Sequence, residues 1–267
     1  MTLPLVVTGI SSGIGERTAA LLRERGARVI GVDRNPPPSD LEGFVQADLG
    51  TPDGVAAAVR SVSDLAGGPL AAVVNVAGVP GTAPWRTVIS VNVLGLRDLT
   101  EGLAAQITEG GAVVHLASSV AEGWRENLPA ICRIALAKDW RTALDDVAAE
   151  PDLVGNAYRF SKECVRFLTE RGAAGLLDRS IRVVSVSPGP VETPILEDFK
   201  SDHGREKVEA AARAVGRFGR PEDVASVIAF LLEPAASWIN GTDIRVDGGL
   251  GAYRAHSAEP AAIPHGD

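Results

Sequence analysis

The sequence predicts a doubly wound α/β fold, a mostly parallel sheet of seven strands with helices on both faces. Three observations carry that prediction. Short runs rich in β-branched residues alternate from end to end with longer segments of helical periodicity. Most of the short runs are apolar without alternation, as strands covered on both faces must be. A glycine-rich turn joins the first run to the first helical segment.

The strands are expected at residues 3–8, 28–33, 44–47, 71–75, 112–117, 181–185 and 242–246. The intervening helices are expected at 14–25, 52–65, 87–106, 153–174 and 221–232. Strands and helices alternating in this way imply parallel neighbours joined by right-handed crossovers. No repeat or low-complexity linker divides the chain, so residues 1–267 are expected to form one domain. Pro36, Pro37 and Pro38 make residues 35–40 a stiff surface connection. Residues 123–155 read as a helical insertion where the alternation calls for only a short loop. The tail at 255–267, small, polar and Pro-containing, is expected to be mobile.

Composition narrows the function. With 26 basic against 34 acidic residues the formal net charge is −8, which argues against a sequence-independent nucleic-acid binder. A content of 45% hydrophobic and 22% charged residues is that of a folded globular protein. Cys132 and Cys164 are the only cysteines, too few for a disulfide framework or a four-thiolate zinc site. The N-terminus has no basic segment ahead of an apolar one, and no apolar run reaches the roughly 18 residues of a membrane span. A cytoplasmic protein without a membrane partner is expected.

Thr8-Gly9-Ile10-Ser11-Ser12-Gly13-Ile14-Gly15 follows the first strand and opens the first helix. Gly9 suits a tight turn, Gly13 lets backbone approach a pyrophosphate, and Gly15 allows close helix–strand packing. The helix N-terminus supplies free N–H donors to the anion. Alone, such a loop is as consistent with a plain turn. Asp33, ending the second strand, adds a carboxylate placed for adenosine ribose hydroxyls, and a 2′-phosphate there meets like charge, which favours NAD over NADP. Arg34 beside it acts the other way. Gly9-x-Ser11-x-Gly13 also matches a hydrolase nucleophile elbow. Its place on the first strand argues against that reading, as does the setting of His115, His203, His256 and His265. His115 falls inside a predicted strand and reads as a packed core residue.

Tyr158 and Lys162 are spaced i, i+4 in a predicted helix and share a face. A cation beside a phenol favours the phenolate, so Lys162 is expected to pull the Tyr158 pKa down from about 10. Taken alone, such a pair carries almost no information, and a solvated helix face is the ordinary reading. Ser118 and Ser119 end a strand on the carboxyl edge that lines ligand crevices, where serine is also an ordinary turn residue. Asn75, Ala77 and Gly78 end the fourth strand. Asn92 is polar inside a long apolar helix and needs a partner.

Taken in order, Thr8-Gly9-xxx-Gly13-Ile14-Gly15, Asp33, Asp48-Leu49, Asn75-x-Ala77-Gly78, Asn92, Ser119, Tyr158-xxx-Lys162, Pro188-Gly189 with Thr193, and Asp247-Gly248-Gly249 resemble the short-chain dehydrogenase/reductase family over residues 3–249. The resemblance implies a single Rossmann domain and an oxidoreductase interconverting a secondary alcohol and a ketone. It makes Tyr158 the general acid/base, Lys162 its helper and ribose ligand, Ser119 the catalytic serine and Asn92 the holder of a relay water. Gly9, Ser11, Ser12, Gly13, Ile14, Gly15, Asp33, Arg34, Asp48, Leu49, Asn75, Ala77 and Gly78 would bind the cofactor. Pro188, Gly189, Val191 and Thr193 would cover its nicotinamide. Ser12 stands where NADP-preferring members commonly carry a basic residue, so NAD is the cofactor implied; no metal is required. The family also implies a homo-oligomer, dimer or tetramer, with a small apolar alcohol or ketone as substrate.

The interval from Ser119 to Tyr158 is far longer than the dozen or so residues usual in the family. That insertion resembles the 3α-hydroxysteroid dehydrogenase/carbonyl reductase branch, and it suggests that Trp124, Leu128 and Ile131 roof an apolar pocket. Packing of the insertion on the surface, or on another subunit, is the alternative. Terpenoid, aromatic, acyl or sugar substrates are further alternatives, as is a dinucleotide-binding sensor without catalysis.

Overall fold

Leu5, Val6 and Val7 lie in a strand buried on both faces, β1 (Leu5–Thr8), in the interior of the sheet. In the computed structural model, which describes residues 3–39, 41 and 43–257, six more strands flank it. These are β2 (Val29–Asp33), β3 (Gly43–Gln46), β4 (Leu70–Asn75), β5 (Ile107–Leu116), β6 (Arg182–Pro188) and β7 (Asp243–Val246). Their order is β3-β2-β1-β4-β5-β6-β7, and every neighbouring pair is parallel. Alternate side chains divide the core. Val6 faces one apolar cluster and Leu5 and Val7 the other, as the period of two in a strand requires.

Helices α1 (Gly13–Glu24) and α11 (Pro221–Leu231) pack together over the Leu5/Val7 face. The other face is covered by α2 (Pro52–Ala66), by α3 (Trp85–Ile89) running through a π turn at Ser90–Gly95 into α4 (Leu96–Ala104), and by α8 (Ala157–Gly175). Gly95 in that π turn touches the neighbouring backbone: a Cβ there would sit 2.0 Å from the Leu49 carbonyl oxygen.

Two expectations change. The helix predicted at 153–174 is two, α7 (Pro151–Gly155) and α8, separated by Asn156, whose backbone (φ −120, ψ 29) leaves the helical region while its side chain donates to Asp152 O (3.0 Å). β5 starts well before 112, because its strand resumes after an irregularity around Gly110 at φ +75. Helices α9 (Leu196–His203), α10 (Arg205–Val215) and α12 (Leu250–His256) were not foreseen. The last ends at His256, two residues into the tail expected at 255–267, of which residues 258–267 lie outside the described residues.

The insertion forms a short 3-10 turn (Trp124–Asn127), then α5 (Leu128–Ala135), α6 (Trp140–Ala148) and α7. It packs inward on α4 and α8. Trp124 and Ile131 are buried in the main core. Arg97 of α4, itself buried, donates to the Ala135 (3.1 Å) and Ala137 (2.9 Å) carbonyls. Asp98 accepts from Trp140 Nε1 (2.6 Å), and Glu163 of α8 accepts from Asn127 Nδ2 (2.7 Å).

Candidate active site

The strand order reverses between β1 and β4, and a cleft opens at the carboxyl ends of the strands there, as in other doubly wound sheets. The Thr8 hydroxyl fixes its floor by accepting from the Val76 (3.0 Å) and Ala77 (2.9 Å) amides, tying the β1 loop to the β4 loop. Gly9, at φ +74, lies so close to that loop that a Cβ would come within 2.8 Å of the Ala77 backbone. Gly15 is tighter still, 2.1 Å from the Gly9 carbonyl oxygen.

Ser12 caps α1 without a side-chain bond, which leaves the first amides of the helix directed at the cleft that Ser11, Ser12, Gly13, Ile14 and Gly15 line. Asp33 holds its turn through both carboxylate oxygens, accepting from Ser11 N (3.1 Å) and Asn35 N (3.0 Å), and its remaining lone pairs face the cleft. Ser11 Oγ donates to Asn35 O (2.6 Å), so the serine of the would-be nucleophile elbow serves the turn. Arg34, Asp48, Leu49, Ala77, Gly78 and Thr193 also line the cleft. Pro188, Gly189 and Val191 line the adjoining cavity. This anion cradle, followed by a carboxylate at the far end of β2, fits a dinucleotide.

Asn75 departs from its expected place. Its side chain is buried and donates to Thr100 Oγ1 (2.9 Å) on α4. It lies on the inner side of the sheet and does not line the cleft.

Next to the cleft is a cavity of ≈ 180 Å³. Tyr158, in the first turn of α8, reaches it with its side chain buried, and Ser118, two residues past the end of β5, acts on its phenol. Lys162, one turn further along α8, is 5% exposed and donates from Nζ to Leu116 O (2.8 Å). Its Nζ lies 5.8 Å from the centre of the Tyr158 ring. Asn92 sits in the π turn: Oδ1 accepts from the Val79 amide (2.9 Å), while Nδ2 donates to Val79 O and Ser161 Oγ (both 3.1 Å). Ser118 and Ser119 both line the cavity.

The electrostatics differ from the sequence expectation. Burial pushes the Tyr158 pKa up, Ser118 opposes the rise, and the Asp202 carboxylate adds to it. Burial also lowers Lys162 to about 8. Lys162 therefore does not dominate the phenol. Tyr158 is held protonated, ready to give its proton to an oxygen in the cavity.

The outer wall of the cavity comes from residues the sequence did not mark. Phe199 of α9 stands edge-on to Tyr158, ring centres 5.0 Å apart, and Val208, Ala211 and Leu250 follow from α10 and the start of α12. The expected roof of Trp124, Leu128 and Ile131 is absent from this wall, since Trp124 and Ile131 pack behind α8 and Leu128 lines a groove on that far side. Among the described residues no group of three or more His, Cys, Asp or Glu side chains could hold a metal ion.

Residues 4–130 match the family model for short chain dehydrogenases, and residues 147–251 match one described as enoyl-(acyl carrier protein) reductase. A coniferyl-alcohol dehydrogenase of Pseudomonas sp. (strain HR199 / DSM 7063) is 39% identical over 247 residues, 92% of this chain and 95% of that protein. The chain belongs to the short-chain dehydrogenase family. The gap between the two matched segments falls within the helical insertion. A 3-alpha-hydroxysteroid dehydrogenase/carbonyl reductase of Comamonas testosteroni is 30% identical, covering 93% of this chain and 96% of that one. The crystal structure of 3-alpha-hydroxysteroid dehydrogenase from Pseudomonas sp. B-0831, complexed with NADH, superposes with a TM-score of 0.83 at 36% identity, covering 96% of this chain and 99% of that chain. As a member of this family the protein is an oxidoreductase acting on alcohol groups.

Proposed function

We propose that this short-chain dehydrogenase uses NAD(H) to interconvert an apolar alcohol and its carbonyl compound, with Tyr158, Ser118, Lys162 and Asn92 as the working side chains. The observation that carries this reading is the phenol, the hydroxyl and the ammonium brought together beside a cleft with Asp33 at its ribose end. The α1 amides and the Ser11–Gly15 turn would hold the pyrophosphate, Asp33 the adenosine ribose, and Lys162 the nicotinamide ribose. Bound there, the nicotinamide supplies or accepts the hydride at the carbinol carbon.

The remaining chemistry is a proton transfer. In reduction, the Ser118 and Tyr158 hydroxyls both hydrogen-bond the carbonyl oxygen, and Tyr158 delivers its proton as negative charge develops there. In oxidation, the ionised Tyr158 takes the hydroxyl proton and Ser118 steadies the same oxygen. Asn92, pinned by Val79 and Ser161, keeps the π turn in place beside Lys162; a Cβ on Gly78 would lie 3.2 Å from Asn92 Oδ1 and 3.6 Å from Lys162 Nζ.

Two substrate readings have support. The hydroxysteroid dehydrogenase relatives favour a secondary alcohol on a ring, and the coniferyl-alcohol dehydrogenase favours a primary alcohol conjugated to an aromatic ring. The apolar wall of Val120, Phe199, Val208 and Leu250 suits both. The test follows NADH or NADPH formation by near-ultraviolet absorbance, using coniferyl alcohol, a 3α-hydroxysteroid and cyclohexanol. Turnover with NAD⁺, lost in Tyr158→Phe, supports the reading. A fully active Tyr158→Phe enzyme, or exclusive use of NADP⁺, overturns it.

A further inference from the structure

We propose that the substrate carries a carboxylate or similar anionic group at the end remote from its carbinol carbon, and that Lys207 and Arg254 receive it. This rests on the dehydrogenase reading and adds the chemical class of its substrate. The cavity has a polarity. At its inner end stand the Tyr158 and Ser118 hydroxyls, and its middle is apolar, with Phe199, Val208, Ala211 and Leu250. At the outer end the lining turns basic, with Lys207 from the first turn of α10 and Arg254 from the last turn of α12.

These two helices pack against each other, so cations from separate parts of the chain meet on one rim. No carboxylate lines the cavity among the described residues. The third cation in the lining, Lys162, is committed to the Leu116 carbonyl.

Three nearby arginines are paired with carboxylates. Arg205 pairs with Glu197 (2.7 Å), Arg245 with Glu122 (2.9 Å), and Arg217 with Asp223 (2.6 Å). Lys207 and Arg254 have no ion-pair partner among the described residues. In a chain of net charge −8, with 34 acidic residues available, two uncommitted cations on the rim of an apolar pocket form a receptor for an external anion. Arg254 offers a planar fork to a carboxylate and Lys207 a mobile point charge. The Asp202 carboxylate is near enough to act on Tyr158, and it packs against Gly81, where a Cβ would meet it at 2.1 Å. Its charge opposes an anion near the phenol, which reinforces the orientation with hydroxyl inward and anion outward.

The experiment compares a 3α-hydroxysteroid bearing a side-chain carboxylate with its methyl ester, using NAD⁺ and both wild-type and Lys207→Gln/Arg254→Gln enzyme. The wild type should favour the acid by about tenfold in kcat/KM, mainly through KM, and the preference should shrink with added salt. In the double variant the acid-to-ester ratio should fall to about one. A wild type indifferent to the charge, or a ratio unchanged in the double variant, overturns the proposal while ester turnover leaves the dehydrogenase reading intact. If neither compound is oxidised, calorimetric binding to the enzyme with NADH present separates the two ideas. Acid-selective binding lost in the double variant supports the basic rim and faults the reaction assigned; equal or absent binding overturns the rim. Both side chains are exposed, so the variants should fold, and circular dichroism checks this.

Discussion

The Ser118 hydroxyl acts on the Tyr158 phenol, lowering its pKa against the rise that burial imposes, and it also accepts from the Val120 amide (3.4 Å). Ser118 is still extended (φ −165, ψ 152), and Ser119 begins the 3-10 turn Ser119–Ala121. Successive side chains therefore diverge as the strand becomes a turn. Ser118→Ala should lower kcat/KM by about 10²-fold, the usual loss for one donor to a developing oxyanion. Ser119→Ala should cost less than about tenfold on the same scale. Steady-state kinetics of the two variants decides, and the reverse order would return the role to Ser119.

The Tyr158 proton should make the two reaction directions respond differently to pH. The raised pKa keeps the phenol protonated, so the acid form needed for reduction is abundant at neutral pH, while the base form needed for oxidation grows as pH rises. Oxidative kcat/KM should climb through the alkaline range, with reductive kcat/KM level or falling over that range. Parallel profiles would show that another group carries the proton.

Cofactor choice should follow charge at the adenosine end. Asp33→Ala removes the like charge facing a 2′-phosphate, and a basic residue in Ser12→Arg adds a partner for it. The double variant should gain at least about tenfold in NADP over NAD preference, measured as the ratio of kcat/KM values. An unchanged ratio would misplace the ribose contact.

His115 should make the protein acid-sensitive. It is buried on β5, its Nδ1 lies 3.1 Å from Thr169 Oγ1, and its Nε2 has no partner. Burial, aided by the Lys162 charge, lowers its pKa from 6.5 to about 3. The folded state thus resists a proton that the unfolded chain accepts below pH 6.5, so stability falls as pH drops from 6.5 towards 3, by at most about 4 kcal/mol. His115→Leu should flatten that part of the stability–pH curve in urea titrations. Identical slopes would place the acid sensitivity elsewhere.

Arg97→Ala should loosen the insertion without touching the cavity. The change orphans the Ala135 and Ala137 carbonyls and removes a buried cation beside Asp98. A loss of about 3 kcal/mol is expected in chemical denaturation, with NADH affinity retained. A neutral result would mean that core packing of Trp124 and Ile131 alone holds the insertion.

Much of this molecule is legible in its sequence because strand runs such as 112–117 are apolar on both faces and the Gly9–Gly15 turn needs glycine at specific contacts. The phenol, the lysine and Asn92 stand out only when taken together with the other motifs, through the resemblance to the short-chain dehydrogenase/reductase family. α9 was not, since LEDFKSDH carries charge throughout and its place is set by tertiary contacts, Phe199 on Tyr158 and Asp198 on Thr82. α10 buries little beyond Val208 and Ala211, a weak stripe for a sequence reading. The insertion was recognisable as an insertion, but its apolar residues fit equally well over a pocket or against a core.

The sequence by itself determined the seven-stranded parallel fold and the dinucleotide turn, because these depend on local periodicity and residue type, while the residues expected to transfer the proton came from the family resemblance. Only the tertiary structure decided that Asn75 turns away from the cleft, that α9, α10 and α12 rather than the insertion wall the cavity, and that burial raises the Tyr158 pKa. Each of these depends on distance and burial between segments far apart in the chain, and a group buried from water answers to its desolvation before it answers to a cation one helical turn away.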